Sequence, residues 1–374
     1  MGVRAILGTV LTAAGLAMVA GVSLSGASST ESIDRLRLIA ANGQRWKIDG
    51  EADTAKAHLR SVPGHNAFWF AWSAFHPDSE VWGDGPIRNA AVRADPEGKC
   101  TVPCDEIFTG CVGRDCIPPL DSPKMVAADS ADADYLADLD MILGVRTAKG
   151  PRAYPQNILW WHEIVNEKVG EEAYAITFCP LTGSGLKFDR SAFVRGKTVR
   201  LGVSGLLYNS NLVMWDRETE SLWSQMRLEA VTGPKKATAA PLRGVLEMTW
   251  KAWKTLHPNT LVVSKKTGYA RDYQRYPYRD YRTNHSNTFR GTKPEPDARF
   301  RNKDLVFGVV VDGKAKAYVW NRVYAKLGDS GMIEDEIAGV PVLVVFHRPS
   351  RFFHAFDRRI GGKARKFSLQ SGTR

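Results

Sequence analysis

An eleven-residue segment occurs twice in this chain, and the two copies stand in an order that a plain tandem repeat cannot give. Trp69-Phe-Ala-Trp72-Ser-Ala-Phe75-His76-Pro77-Asp78-Ser79 returns as Trp250-Lys-Ala-Trp253-Lys-Thr-Leu256-His257-Pro258-Asn259-Thr260, at a constant offset of 181. A second set runs Gly144-Val145 and Ala153-Tyr154, then Ile176-Thr-Phe178-Cys179 and Phe188-Asp189-Arg190. It returns as Gly308-Val309 and Ala317-Tyr318, then Val344-Val-Phe346-His347 and Phe356-Asp357-Arg358, the offset moving from 164 to 168. Repeats fix architecture before any local signal does. Residues 140–264 hold one complete unit, 305–374 the front of a second, and 40–82 its back. A layer that cannot bury its face alone needs its missing part. The N-terminal segment is therefore expected to complete the C-terminal half, as in a circular permutant with neighbouring termini.

The expected fold class is α+β and β-rich, with two homologous halves related by a pseudo-two-fold repeat. Alternating or continuous apolar runs predict strands over 141–146, 173–178, 199–204, 211–215, 260–264, 305–311 and 341–347. Helical spacing predicts helices over 155–166, 247–256, 318–327 and 68–75, two of them stopped by His-Pro. The expected segments are 28–99 completing the second repeat, 100–120 a cysteine loop, 121–280 the first repeat, 281–304 a polar loop, and 305–374 the front of the second repeat.

Met1-Gly-Val-Arg4 precedes an apolar stretch from Ala5 to Leu24 and then Ser25-Gly26-Ala27. That pattern reads as a secretory signal cleaved after Ala27, or as an uncleaved N-terminal anchor, which would then be the chain's only tie to a membrane. Removing residues 1–27 takes one Arg and lowers the formal net charge from +11 to +10. Such a charge on a periplasmic or secreted protein favours anionic cell-envelope polymers, and nucleic acid is not an expected partner there. Cys100, Cys104, Cys111 and Cys116 lie at C-x3-C-x6-C-x4-C, which outside the cytosol predicts two disulfides of unread connectivity. Cys179 is left as the odd thiol.

Four stretches carry a resemblance: His162-Glu163-Ile-Val-Asn166, Phe178-Cys179-Pro180-Leu181-Thr182-Gly183-Ser184-Gly185, Gly205-Leu-Leu-Tyr208-Asn209-Ser210-Asn211 through Asp216-Arg217 to Trp223-Ser224-Gln225, and Thr267-Gly268-Tyr269-Ala-Arg271-Asp272-Tyr273. They resemble the bacterial and archaeal domain-of-unknown-function family 3179, over roughly residues 115–280 and more loosely to 358. The resemblance implies no activity. Where relatives carry a second Cys, this chain has Thr182, so a dithiol redox role would lack its resolving thiol.

Cys179 at a strand end, His162 with Glu163 on the preceding helix and Asn166 one turn on are the components of an activated thiolate, with Cys179, His162 and Glu163 as the catalytic candidates. Cys179, His162 and His347 would equally suit copper or zinc, with Met214 or Met226 as an added thioether. Thr182, Ser184, Tyr208, Asn209, Ser210, Asp216, Trp223 and Gln225 make a polar run able to hold a small molecule, and the competing reading of the Asn and Ser positions is a turn with side-chain caps. Five Tyr from Tyr269 to Tyr281 interleave with Arg271, Arg275, Arg279 and Arg282, a pattern suited to sugars or anionic polymers. Phosphate-loop, dinucleotide, zinc-protease and nucleophile-elbow motifs are missing from any supporting context, so nucleotide-driven chemistry is not expected. Three readings stay open: a binding or metal-handling protein, a thiolate enzyme, and a polymer-binding module.

Overall fold

The computed structural model describes residues 31–53 and 58–371, so the expected signal or anchor segment lies outside the described residues. Among the described residues four short α-helices stand among many strands in several sheets, a β-rich fold. The helices are α1 (Trp69–Phe75), α2 (Gln156–His162), α3 (Trp250–Leu256) and α4 (Trp320–Leu327).

Why α1 and α3 are short helices follows from one Trp and one Gly each. The Trp72 ring lies on Gly308 of the Leu305–Val311 strand, and the Trp253 ring lies on Gly144 of the Met141–Thr147 strand. At either glycine a Cβ would overlap the indole, so only Gly lets the helix sit down on the sheet. Both Trp side chains are fully buried, and each indole N–H must then find an acceptor. Trp72 Nε1 donates to Ser79 Oγ at 3.1 Å, and Trp253 Nε1 donates to Thr260 Oγ1 at 2.8 Å. His76 and His257 pack tilted against these rings at 4.1 and 4.2 Å, and the Pro after each His ends the helix.

Strand pairing around the two helices runs in parallel terms. Gly64–Phe68, which leads into α1, pairs antiparallel with Leu305–Val311, and Glu80–Val81, which follows α1, pairs parallel with Lys314–Val319. Leu246–Thr249, which leads into α3, pairs antiparallel with Met141–Thr147, and Leu261–Val263 pairs parallel with Gly150–Pro155. The meander Ser330–Ile337, Val340–His347 and Phe352–Asp357 then joins Leu246–Thr249 through the Glu247–Phe353 pair and extends the largest sheet. Its sequence counterpart, Ile164–Val169, Glu172–Cys179 and Ser184–Asp189, forms a five-stranded sheet of its own. Phe68 N–H reaches across to the Thr182 carbonyl of that sheet's turn at 2.7 Å. Leu36–Ala40 pairs with Phe367–Ser371, which sets the two ends of the described chain side by side.

The expected helix over 155–166 needs correction. It stops at His162 because Glu163 takes a positive φ of 55°, which ends the helical ladder. Asn166 therefore lies on the Ile164–Val169 strand, not one helical turn beyond His162. The expected polar loop over 281–304 is also longer than read: no strand or helix among the described residues falls between Val263 and Leu305. The two cystines form between near neighbours, Cys100–Cys104 and Cys111–Cys116.

Candidate functional site

Cys179 closes the Glu172–Cys179 strand with its thiol buried and 3.7 Å from the Ser210 carbonyl oxygen. Burial, followed by the nearby Glu163 carboxyl, pushes its pKa up to about 11, so the thiol stays protonated at neutral pH. His162 spends both ring nitrogens elsewhere: Nδ1 meets the Pro118 carbonyl at 2.7 Å and Nε2 meets the Tyr273 hydroxyl at 2.7 Å. Burial lowers its pKa to about 4. His347 pairs through Nδ1 with Ser350 Oγ at 2.8 Å, in the largest sheet.

The expected Cys179, His162 and His347 metal set is therefore not assembled, because the two imidazoles are held by other partners. Among the described residues the groups with metal-ligand spacing are Asp95, Cys100 and Cys104, and Asp49, Glu51 and His257. In the first, the sulfurs are joined as a disulfide and offer no thiolate. In the second, Asp49 Oδ2 lies 3.0 Å from His257 Nε2 and 3.2 Å from Arg146 Nη1, so a guanidinium already neutralises the carboxylate.

The polar run forms a closed buried network. Thr182 and Ser184 hydroxyls meet at 2.8 Å, Ser184 donates to Gln225 Oε1 at 2.8 Å, and Asn211 Nδ2 donates to both Thr182 Oγ1 and Gln225 Oε1. Gln225 Nε2 donates onward to Thr177 Oγ1. Asn209 and Ser210 hold the 288–293 loop by donating to the Lys293 and Thr288 carbonyls. Asn166 Nδ2 donates to the Leu201 carbonyl, and Asp216 accepts from Trp223 Nε1 at 2.8 Å. These side chains join one sheet to the next and satisfy one another. Tyr208 is the exception, with its buried hydroxyl unpartnered. Arg271 lies 5.5 Å from the centre of the Trp161 ring.

Unsatisfied groups collect in a cavity of about 630 Å³ between the two α1- and α3-bearing sheets. Asn66 Oδ1, Glu247 Oε2, Lys303 Nζ and Trp320 Nε1 are buried there, with the Asn66 amide within hydrogen-bond reach of the Glu247 carboxyl and the other two without a partner. Gln156 Nε2 donates to the other Glu247 oxygen at 2.8 Å. Burial pushes the Glu247 pKa up to about 8 and pulls the Lys303 pKa down to about 7. Lys303 Nζ rests 3.4 Å from the Tyr281 ring centre, and Arg282 caps the Trp160 and Tyr276 rings at 5.6 and 4.7 Å.

None of Asn66, Gln156, Glu247, Lys303 and Trp320 was singled out from the sequence. A signal was present: Asn66 and Glu247 align at the 181 offset, and Gln156 and Trp320 at the 164 offset. The members of each pair differ, and both line the cavity.

A second cavity, of about 500 Å³, lies under the Pro277–Tyr281 segment with mostly alkyl and aromatic walls, and Glu163 reaches it. Burial pushes the Glu163 pKa up to about 8.

Two disulfides point to an oxidising, extracytoplasmic setting, and no helix among the described residues is long and apolar enough to cross a membrane. No curated protein and no solved structure matches the chain. A family model described as a protein of unknown function (DUF3179) matches residues 114–371, more than half of the chain, and starts after α1. The match takes in the His162-Glu163, Cys179 and Gln225 motifs together with the 264–304 segment that roofs both cavities, and on that span the chain belongs to the DUF3179 family.

Proposed function

We propose that the protein is an extracytoplasmic binding protein whose central cavity takes an acidic, hydroxyl-bearing ring compound, of the kind from which anionic envelope polymers are built. The observation that carries this reading is the convergence of four buried polar groups, Asn66, Glu247, Lys303 and Trp320, on one cavity, the last two without a partner. A buried polar atom left without a partner costs about 1–3 kcal/mol, and a ligand that supplies the partner recovers that. Lys303 and Arg282 form a cationic end, suited to a carboxylate. Asn66, Gln156 and a protonated Glu247 form an end suited to hydroxyl groups, and Trp160, Tyr276 and Trp320 offer ring faces. The volume, about 630 Å³, falls within the range of small-molecule sites.

The two-half architecture belongs to this reading. Matching strand pairings around α1 and α3 support a pseudo-two-fold repeat closed by the N-terminal segment. Divergence of the paired positions Asn66/Glu247 and Gln156/Trp320 then makes the two walls chemically unlike. Metal handling or thiolate catalysis at Cys179 draws no support from a buried, protonated thiol with neither imidazole beside it.

Tryptophan fluorescence tests the proposal, since Trp160 and Trp320 face the cavity. Digalacturonate and trigalacturonate are expected to give a saturable change, and the neutral galactose disaccharide none. Lys303→Met and Arg282→Ala should each weaken the acidic ligand at least tenfold. An unchanged signal with every sugar, or equal affinity in both variants, removes the reading.

A further inference from the structure

Glu163 combines three features that packing alone does not require. Its backbone is held at φ 55° and ψ −33°, outside the regions open to an ordinary L-residue. Such a conformation costs on the order of 1–3 kcal/mol and persists where the surroundings impose it. Those surroundings are visible: Glu163 N–H closes α2 on the Leu159 carbonyl at 2.8 Å, and its own carbonyl accepts from Phe178 N–H at 2.8 Å. Its residue surface is only 5% exposed, an unusual place for a carboxyl, and it lines the second cavity. Both facts would be relieved by Gly at this position.

What the carboxyl does meet is the second cavity. Leu181, Leu206, Leu207 and Leu212 supply alkyl walls, and the Tyr278 ring faces the same space. Arg279 and Asp280, both exposed, stand at its rim with opposite charges. A buried carboxylate needs a donor or a cation, and the lining offers few, Arg279 and Asn287 with the hydroxyls of Tyr278 and Tyr281. An aromatic face beside a carboxylate is a favourable seat for an ammonium group.

We propose that this cavity is a second binding site, distinct from the central one, which takes an apolar amine whose ammonium pairs with the Glu163 carboxylate and the Tyr278 ring while its hydrocarbon body lies on the leucine walls. The strained backbone at residue 163 serves to aim the carboxyl into the cavity. Ionisation of the acid is coupled to arrival of the cation, so an uncharged isostere gains only the apolar contact.

The experiment uses benzylamine and its uncharged isostere benzyl alcohol, titrated into the full mature chain by calorimetry. Benzylamine is expected to bind at least tenfold more tightly than benzyl alcohol. In Glu163→Gln that preference should vanish while benzyl alcohol binding persists. Glu163→Gly should melt above the wild type, because strain and a buried acid are both removed, and should also lose the preference. Leu206→Trp, which fills the cavity from a half-buried position, should abolish binding of both probes. The proposal is overturned if benzylamine binds no better than the alcohol, if the preference survives Glu163→Gln, or if Leu206→Trp leaves both affinities intact. A Glu163→Gly chain that melts well below the wild type would assign the carboxyl a structural role instead.

Discussion

The segments around α1 and α3 share a sequence pattern but not a chemistry. In both, a buried Trp lies on a Gly of the facing strand, its N–H is taken by a hydroxyl seven residues on, and a His packs against the ring. The polar positions have moved apart. Where one has Asn66 the other has Glu247. His257 Nε2 lies 3.0 Å from an Asp49 oxygen, whereas the charged neighbours that act on His76 are His65 and Arg227. Close packing tolerates little change, because a single added methyl at the Gly would collide with the indole. Positions that face the cavity carry no such constraint, and Asn66 and Glu247 are one pair that differs there.

The comparison can be broken most directly at the glycines. Gly308→Ala and Gly144→Ala should each cost about 1–3 kcal/mol or more, by overpacking, and to a similar degree. Thermal unfolding of the two variants checks this, and a near-neutral effect at either site would show that its helix is not seated on the strand as described. Next in size is the hydroxyl partner of each indole. Ser79→Ala and Thr260→Val leave a buried N–H unmet, and each should lose about 1–3 kcal/mol. Chemical denaturation would separate equivalent from unequal roles.

The pH dependence should separate the segments. Burial, then His65 and Arg227, lowers the His76 pKa from 6.5 to about 3. The unfolded chain takes up that proton first, so stability present above pH 6.5 is lost as pH falls toward 3. His76→Phe keeps a ring on Trp72 and should flatten the melting temperature across that window. At the other segment, burial would raise the Asp49 pKa, but the hydrogen bond from His257 and the Arg146 guanidinium outweigh it and hold the carboxyl well below its usual range. Its contribution is present above an unfolded value of 3.8 and is lost only as pH falls below that. His257→Phe should therefore lower stability by a constant amount above pH 4 and by progressively less as pH falls below it.

Much of the fold was legible in the residues. The strands over 305–311 and 341–347, the four helix positions and the cystine content follow from apolar spacing, His-Pro stops and cysteine clustering. The end of α2 was not legible, because nothing in Trp161-His162-Glu163-Ile164 marks Glu163 as the residue that takes a positive φ. The candidate site was read only in part. Cys179 and His162 carry the sequence signal, but a lone Cys and His do not reveal whether each is already satisfied. Thr182, Ser184, Asn211 and Gln225 looked like a ligand platform and instead bind one another.

What the sequence determined by itself is local and periodic: which segments are strands, where helices stop, which segments match, and which side chains are able to do chemistry. Tertiary structure alone decided which of those side chains meet. Asn66 and Glu247 are 181 positions apart and line one cavity, while Cys179 and His162, 17 positions apart, make no contact with each other's reactive atoms. The physical reason is that pairing partners are chosen by the packing of whole layers. A buried polar atom is satisfied or left open by residues that local sequence does not bring near it.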